Sequence, residues 1–146
     1  MAKNKFKVRP YNPKDEIQVI DLWYVCDLIV PWNNPKLDIE RKLKVNPELF
    51  LIGEINDNVV ASIMGGYEGH RGWINYLAVL PEFRGKGYAK KIMNVIEKKL
   101  KDIGCPKINL QIRSNNKDAI KFYEKIGYYD ERMTSMGKKL SNDPKF

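Results

Sequence analysis

The feature that most constrains the fold is a glycine-spaced segment, residues 79–89 (VLPEFRGKGYA), where the hydrophobic pattern changes. The preceding residues 73–79 (WINYLAV) are rich in aromatic and β-branched side chains, which is typical of strands. From the end of the segment onward, apolar side chains recur at helical spacing, at Ala89, Ile92, Met93, Ile96, Leu100 and Ile103. The sequence therefore predicts a strand, a tight turn and a long amphipathic helix in direct succession.

A turn of this kind is a candidate anion site. The first N–H groups of a helix have no acceptor within it, and the helix dipole favours negative charge at the same end. Gly85 and Gly87 lack a Cβ and let a ligand approach the backbone, although such glycines also serve turn geometry alone. Two nucleotide-binding patterns are excluded by spacing. Lys90 stands where the dinucleotide pattern needs a third glycine, and no Ser or Thr closely follows Lys86 as in a P-loop.

Two motifs in order give the turn a more specific interpretation. Arg84, Gly87 and Ala89 fill the pattern [RQ]-x-x-G-x-[GA]. Further along, the pattern N-x-x-A-x-x-x-Y-x-x-x-G-[FY] is filled at every position, by Asn116, Ala119, Tyr123, Gly127 and Tyr128. The sequence thereby resembles the GCN5-related N-acetyltransferases (GNAT) over nearly its whole length. Residues 66–73 (GYEGHRGW) are similar to a YpeA-like bacterial branch of that superfamily.

The hydrophobic pattern predicts helices and strands in a mixed order. Strands are expected at residues 6–10, 49–55, 59–67, 73–79 and 107–113, with a weaker terminal pair. Helices are expected from an Asn12-Pro13 start to a point before Pro31, at 37–44, along the apolar stripe after the turn, and at 117–126. Residues 56–58 (NDN) read as a hairpin with a three-residue loop.

This order predicts an α/β fold of the α+β type, with a mixed sheet rather than a doubly wound one, in a single domain over residues 1–146. The resemblance implies the GNAT acyl-CoA N-acyltransferase fold, a central, mostly antiparallel sheet flanked by helices. In that fold the strand ending at Val79 and the strand starting near Lys107 splay apart around the thioester. A monomer or a homodimer is expected, because terminal strands in this fold sometimes pair between subunits.

Composition narrows the classes of partner. The formal net charge of +8 suits nucleic acid, a membrane surface or an anionic small ligand. Many lysines fall on periodic helices as a solvated face, without the interleaved aromatics of nucleic-acid-binding sheets. No apolar run reaches the roughly 18 residues of a membrane span, and no secretory signal is recognisable. We therefore expect a cytoplasmic protein with neither nucleic acid nor membrane as partner.

For the acetyl donor, the resemblance implies acetyl-CoA as co-substrate and no metal. Backbone N–H groups would cradle its diphosphate, from Arg84, Gly85, Lys86, Gly87, Tyr88 and Ala89. The backbone of Leu77, Ala78 and Val79 would line the thioester, with the Val79 N–H polarising the carbonyl. Asn116 would hydrogen-bond the pantetheine arm, or would alternatively cap the following helix.

Fewer sequence features indicate the residues that would transfer protons. Tyr123 is the candidate general acid for the leaving thiolate, with a packing tyrosine as the alternative. On the strand before the turn, Asn75 and Tyr76 cannot be efficient bases. The nearest titratable groups are Glu68 and His70, and an ordered water chain without a dedicated base is equally consistent.

The acceptor side is expected at the first two helices and their loop. Trp23, Trp32, Asn33 and Asp38 fall there, and an aromatic pair with an aspartate could hold an organic cation or a peptide amine. Alternatively, Trp23 is a core residue and residues 31–35 are a rigid loop. The sequence thus predicts an N-acetyltransferase acting on a small-molecule amine or a protein amino group. The second hypothesis is a non-catalytic acyl-CoA-binding sensor.

Overall fold

A five-stranded sheet forms the centre of the computed structural model, which describes residues 5–144. The strands lie in chain order, β1 Lys7–Pro10, β2 Phe50–Ile55, β3 Asn58–Tyr67, β4 Gly72–Val79 and β5 Ile108–Leu110. Strands β1 to β4 pair antiparallel. The Gly72 N–H donates to the Lys107 carbonyl at 2.8 Å, where β4 begins beside β5.

In the described part of the chain, four α-helices accompany the sheet, α1 Glu16–Val25, α2 Pro35–Lys42, α3 Tyr88–Asp102 and α4 Lys117–Lys125. Single 3-10 turns lie at Pro13–Asp15, Pro47–Leu49 and Pro81–Phe83. This is a mixed α/β fold, which confirms the predicted class. The structure divides into two compact parts, residues 5–109 with 143–144, and residues 110–142, which contain α4.

Opposite faces of the sheet carry different helices. Trp23 of α1 and Ile39 of α2 share a buried cluster with Phe50, Ile52 and Met64, which point to one face. On the other face, an added Cβ on Gly65 would come within 2.8 Å of the Ile96 side chain of α3. A glycine is needed there because α3 packs directly on the backbone of β3. Helix α1 therefore lies over one face and α3 over the other.

The predicted long helix is confirmed, with Ile92, Met93, Ile96 and Leu100 all buried. Its predicted apolar stripe is wrong at one end. Ile103 caps the helix, which ends at Asp102, and the Ile103 side chain is half-exposed.

The β2–β3 hairpin differs from the prediction in its loop. Ile55 pairs with Asn58, so the loop has two residues, Asn56 and Asp57, and not three. Both have positive φ, 52° and 65°, which gives the backbone twist that two-residue hairpins require. Asn and Asp tolerate this left-handed conformation because their short polar side chains can hydrogen-bond locally.

Other boundaries also differ. A 3-10 turn precedes the first helix, which ends at Val25, before Pro31 as predicted, and Asp27 then turns the chain with φ of 57°. The second helix begins at Pro35, earlier than expected, because Asn34 caps it through the Leu37 N–H. The fifth strand covers three residues instead of residues 107–113. Within residues 126–144 no strand forms, so the predicted terminal pair is wrong for the described chain.

Candidate active site

The turn between β4 and α3 is held open by two glycines in the left-handed region. Gly85 has φ of 78° and Gly87, the residue before α3, has φ of 82°. An added Cβ at either position would meet no other atom of the described residues within 4 Å. Backbone conformation, rather than close packing within the chain, therefore requires glycine here.

This turn presents a row of backbone donors. No side chain within residues 5–144 caps α3. Among the described residues 5–144, none accepts a hydrogen bond from the N–H groups of residues 85–89, whereas the Lys91 N–H donates to the Gly87 carbonyl. Five successive amides and the positive end of a 15-residue helix thus lie together. Such an arrangement can bind an anion.

Arg84 has a different environment from the glycines that follow it. Its N–H donates to the Pro81 carbonyl at 3.2 Å. Its guanidinium donates from Nε to the Val79 carbonyl at 3.0 Å and from NH2 to the Cys26 sulfur at 3.3 Å. Arg84 therefore ties the turn to the end of β4, and the row of available amides begins at Gly85, one residue later than predicted.

A groove of about 560 Å³ opens beside the turn. The β2–β3 loop forms one wall, and the turn forms the other with Leu80, Phe83, Lys86 and Tyr88. Tyr88 stacks on Phe6 with ring centroids 4.3 Å apart, and the Lys86 ammonium lies 5.6 Å from the Phe83 ring centroid. Aromatic contacts thus fix the side-chain walls of the turn.

Strand β4 contains a bulge at Tyr76. Ser62 pairs with Ala78 and Met64 with Asn75, so Tyr76 and Leu77 together oppose one residue of β3. Tyr76 has φ of 54°, a conformation that is rare for a bulky side chain. Bulges of this kind redirect a side chain and are frequent beside active sites.

Beyond the bulge lies the Val79 N–H, the group predicted to polarise the thioester, at the edge of β4 that faces away from β3. The Leu80 N–H donates to the Val60 carbonyl at 2.9 Å across the β3–β4 ladder. Because successive N–H groups of a strand point to opposite edges, the Val79 N–H points away from β3. The three residues of β5 cannot extend beside all eight residues of β4.

The redirected Tyr76 side chain connects three elements. Its ring stacks on Trp23 of α1, with centroids 3.8 Å apart and planes inclined by 15°. Its hydroxyl donates to Asp38 Oδ2 of α2 at 2.6 Å. The Trp23 Nε1–H donates to Ser62 Oγ at 2.9 Å, and the Ser62 hydroxyl donates to the Tyr76 carbonyl at 2.8 Å. We call these four residues the Tyr76 network.

The Tyr76 hydroxyl is held in its protonated form. Burial raises the pKa of Tyr76 most strongly, and the hydrogen bond and negative charge of Asp38 raise it further. A smaller opposing effect comes from a hydrogen bond with the Asn33 side chain. The hydroxyl is therefore a permanent donor to Asp38 at neutral pH.

The predicted acceptor residues fall into two groups. Asn33 and Asp38 meet at the Tyr76 hydroxyl, while Trp32 is more than half exposed. Trp23 is 0% exposed, so its side chain offers no surface to a ligand and its place is in the core beneath Tyr76. Its expected direct contact with an acceptor therefore does not fit this structure.

Glu68 and His70 lie in the turn between β3 and β4. Glu68 Oε1 accepts from the His70 and Arg71 N–H groups, and Oε2 accepts from Trp73 Nε1 at 2.9 Å. These three bonds, that from Arg71 first, lower the pKa of Glu68. A carboxylate held in this way is a weak base and serves to close the turn. His70 is exposed, and its backbone takes part in the same turn.

The second compact part holds the remaining motif residues. Asn116 caps α4, its side chain accepting from the Ala119 N–H at 3.1 Å, which is the alternative role considered for it. Burial raises the pKa of Tyr123. Its ring makes edge contacts with Phe122 and Tyr128, at centroid distances of 5.1 and 5.6 Å. Tyr123 therefore carries its proton at neutral pH.

Between residues 5 and 144, the structure has neither a cluster of metal ligands nor a membrane-spanning helix. No group of three or more His, Cys, Asp or Glu side chains there could hold a metal ion. None of the helices in this range is both long and apolar enough to cross a membrane.

Sequence reasoning named Trp23 and Asp38 but missed their connection through Tyr76 and Ser62, and it missed the part that Cys26 plays beside Arg84. Tyr76 was considered only as a base and rejected, and Ser62 gave no signal at all in its strand. The one local sign was the concentration of aromatic residues on α1 and β4. Their partners lie far apart in the sequence, and the bulge that joins them is a product of strand pairing.

Comparison with known proteins identifies the family. The sequence model of the acetyltransferase (GNAT) family matches residues 17–128. The chain is similar to an acetyltransferase of Yersinia pestis (strain Pestoides F), with 46% identity over 140 residues that cover 96% of this chain and 99% of that protein. These matches confirm the resemblance drawn from the two motifs.

Solved structures agree with the fold. The NatC complex bound to Gag peptide and CoA aligns with a TM-score of 0.75 and 24% identity, over 89% of this chain and 87% of that chain. The enzyme AAC(6')-Iy, in complex with the bisubstrate analogue CoA-S-monomethyl-acetylneamine, aligns with a TM-score of 0.76 and 15% identity, over 94% of this chain and 99% of that chain. With this fold and a family match across most of its length, the chain belongs to the GNAT family and is an acetyl-transferring enzyme.

Proposed function

We propose that the protein transfers the acetyl group of acetyl-CoA to a primary amine by direct attack in a ternary complex. The observation that carries this proposal is the row of five amides without acceptors at residues 85–89. A diphosphate would accept hydrogen bonds from them, each worth about 1.5–3 kcal/mol with a charged acceptor. Gly85 and Gly87 keep side chains away from that ligand.

The end of β4 would polarise the thioester carbonyl. The Val79 N–H, directed away from β3, would donate to the thioester oxygen, and Leu77 and Ala78 would line the arm of the cofactor. A fixed donor at that point stabilises the negative charge that develops when the amine attacks. The ties from Arg84 and Cys26 to the Val79 carbonyl keep this part of the strand in place.

The reaction then requires two proton transfers. The amine nitrogen forms a bond to the acetyl carbon, the carbon–sulfur bond breaks, and the thiolate takes a proton from Tyr123. Burial raises the pKa of Tyr123, so the donor is protonated at neutral pH, but transfer of its proton to a thiolate, a weaker base than the tyrosinate, is uphill and is completed when Tyr123 regains a proton from water. A free thiol has a pKa near 8.5, so modest assistance is sufficient.

The proton of the attacking amine goes to His70 or to water. Glu68 is disfavoured for this step, because its two oxygens already accept from three N–H groups in its own turn. His70 stays a prediction as the base. The acceptor is a small-molecule amine or a protein amino group, in keeping with neighbours that hold a peptide or an acetylneamine analogue.

Two measurements on the intact protein test this function. Calorimetry should detect binding of acetyl-CoA and at least tenfold weaker binding of S-acetylpantetheine, which has the same thioester arm without the diphosphate. Release of free thiol should follow when a panel of primary amines is added. Equal affinity for the two donors would contradict the diphosphate cradle. Binding of acetyl-CoA without turnover on any amine would favour the alternative of an acyl-CoA sensor.

A further inference from the structure

One acidic side chain on the acceptor side is held in a fixed position by the Tyr76 network. Asp38 lies in the first turn of α2 and is half-buried. Its Oδ2 accepts from the Tyr76 hydroxyl at 2.6 Å. Within residues 5–144 no donor reaches its second oxygen, Oδ1. A carboxylate has about four sites for hydrogen bonds, so Asp38 keeps capacity for a ligand.

The cationic side chains that follow Asp38 on α2 do not bind its second oxygen. Arg41 follows on the same helix, but its guanidinium makes two hydrogen bonds to Asp143, at 2.7 and 2.8 Å. Lys42 donates to the Gly65 carbonyl, and burial lowers its pKa. Both neighbouring cations are thus held by other acceptors. Glu40, the other acidic residue of α2, is exposed.

The position of Asp38 depends on an unusual backbone conformation. Tyr76 stacks on Trp23 and reaches Asp38 from the bulge, where its φ is 54°. A tyrosine in the left-handed region is strained, and such residues are retained where the surrounding structure fixes them for function. Ser62 fixes this one through its hydrogen bond to the Tyr76 carbonyl.

We propose that Asp38 is a specificity-determining residue that binds a positively charged group of the acceptor through its Oδ1. This inference rests on the proposed function and names the class of substrate, an amine that carries a second cationic group. The Tyr76 hydroxyl orients the carboxylate and does not neutralise it, and the Asn33 side chain hydrogen-bonds that same hydroxyl. An acceptor with an anion at that position would be repelled.

Three probes with five carbon atoms each separate the effect of charge from that of the hydrocarbon chain. They are 1,5-diaminopentane, pentylamine and 5-aminopentanoate, which share one primary amine and end in a cation, a methyl group and an anion. With saturating acetyl-CoA, wild-type kcat/KM should fall in that order, with the diamine preferred over pentylamine by roughly 10- to 100-fold. The preference should appear in KM rather than in kcat.

Variants then assign the preference to Asp38. Asp38→Asn keeps an acceptor for the Tyr76 hydroxyl but removes the charge, and it should reduce the ratio of diamine to pentylamine to within about threefold of unity. Tyr76→Phe keeps the ring on Trp23 and should lower the ratio less. Glu40→Gln makes the same change of charge on the exposed side of α2 and should leave the ratio unaltered.

The outcomes keep the two proposals distinct. If acetyl-CoA does not bind, the proposed function fails and this inference fails with it. If acetyl-CoA binds and pentylamine is acetylated as well as the diamine, only the assignment of Asp38 is overturned. The same holds if Asp38→Asn retains the preference, or if none of the three probes is acetylated while another amine is. Thermal melting of each variant should show that it folds like the wild type.

Discussion

The two sides of the candidate site are built from different parts of the polypeptide. At the turn between β4 and α3, the groups that face a ligand are backbone amides, and the glycines contribute by having no side chain. At the Tyr76 network, everything depends on side chains from α1, α2, β3 and β4. A backbone cradle suits a ligand that is the same in every reaction. A side-chain network can change with the acceptor while the fold remains.

The turn and the Tyr76 network also differ in which residues adopt strained backbone conformations. The turn places its left-handed conformations on glycine, where they cost little. The Tyr76 network places a left-handed conformation on a tyrosine, Tyr76. A stacked ring and three hydrogen bonds support it. Substitutions at the turn should therefore alter binding of the donor, and substitutions in the network should alter stability and use of the acceptor.

The largest effect is expected for Gly87→Val. A β-branched residue resists φ of 82°, and its side chain would enter the space in front of the amides. The KM for acetyl-CoA should rise by at least about 100-fold, which corresponds to the loss of one or two charge-assisted hydrogen bonds. Steady-state kinetics with varied acetyl-CoA would measure it.

The matched control for that variant lies at the other end of the same helix. Gly104 has φ of 90° and open space around its Cβ position, but it lies far along the chain from the cradle. Gly104→Val should lower the free energy of unfolding about as much as Gly87→Val does, without raising the KM for acetyl-CoA. Equal KM changes in the two variants would show that strain, and not the cradle, accounts for the effect of Gly87→Val.

A substitution within the network tests its structural cost. Ser62 is 0% exposed, accepts from Trp23 and donates to the Tyr76 carbonyl. Ser62→Ala leaves a buried donor and a partly buried acceptor without partners, which should lower the free energy of unfolding by about 2 kcal/mol. Chemical denaturation would measure this, with Ser114→Ala at an exposed position as the control. Unchanged stability would mean that the network does not hold Tyr76.

Tyr123→Phe separates chemistry from binding of the donor. Loss of the hydroxyl should lower kcat by at least about tenfold, because the thiolate then leaves without its proton donor. The affinity for acetyl-CoA should change little. Tyr129→Phe, at an exposed tyrosine in the same part of the chain, is the control. An unchanged kcat in Tyr123→Phe would assign that residue to packing.

The same contrast explains what the sequence could predict. Helix α3 and the turn before it follow from local signals, the glycine spacing and an apolar stripe within one segment, and both are confirmed. The β2–β3 loop was predicted one residue too long, because Asn56 and Asp57 both adopt positive φ and a count of polar residues does not reveal that. The Tyr76 network needed the register of β3 against β4, which fixes the bulge.

The smallest predicted effect is the contribution of Tyr76 to the dependence of stability on alkaline pH. The pKa of Tyr76 is raised in the folded protein, first by burial and then by Asp38. Its contribution to stability should therefore be complete below the ordinary tyrosine pKa of about 10 and should fall as pH rises above it, because only the unfolded chain then loses this proton. The free energy of unfolding, measured from pH 9 to pH 11 for the wild type and Tyr76→Phe, should decline more steeply in the wild type. Parallel curves would show that the Tyr76 hydroxyl ionises as readily in the folded protein as in the unfolded one, and would remove the physical basis for treating it as a fixed donor to Asp38.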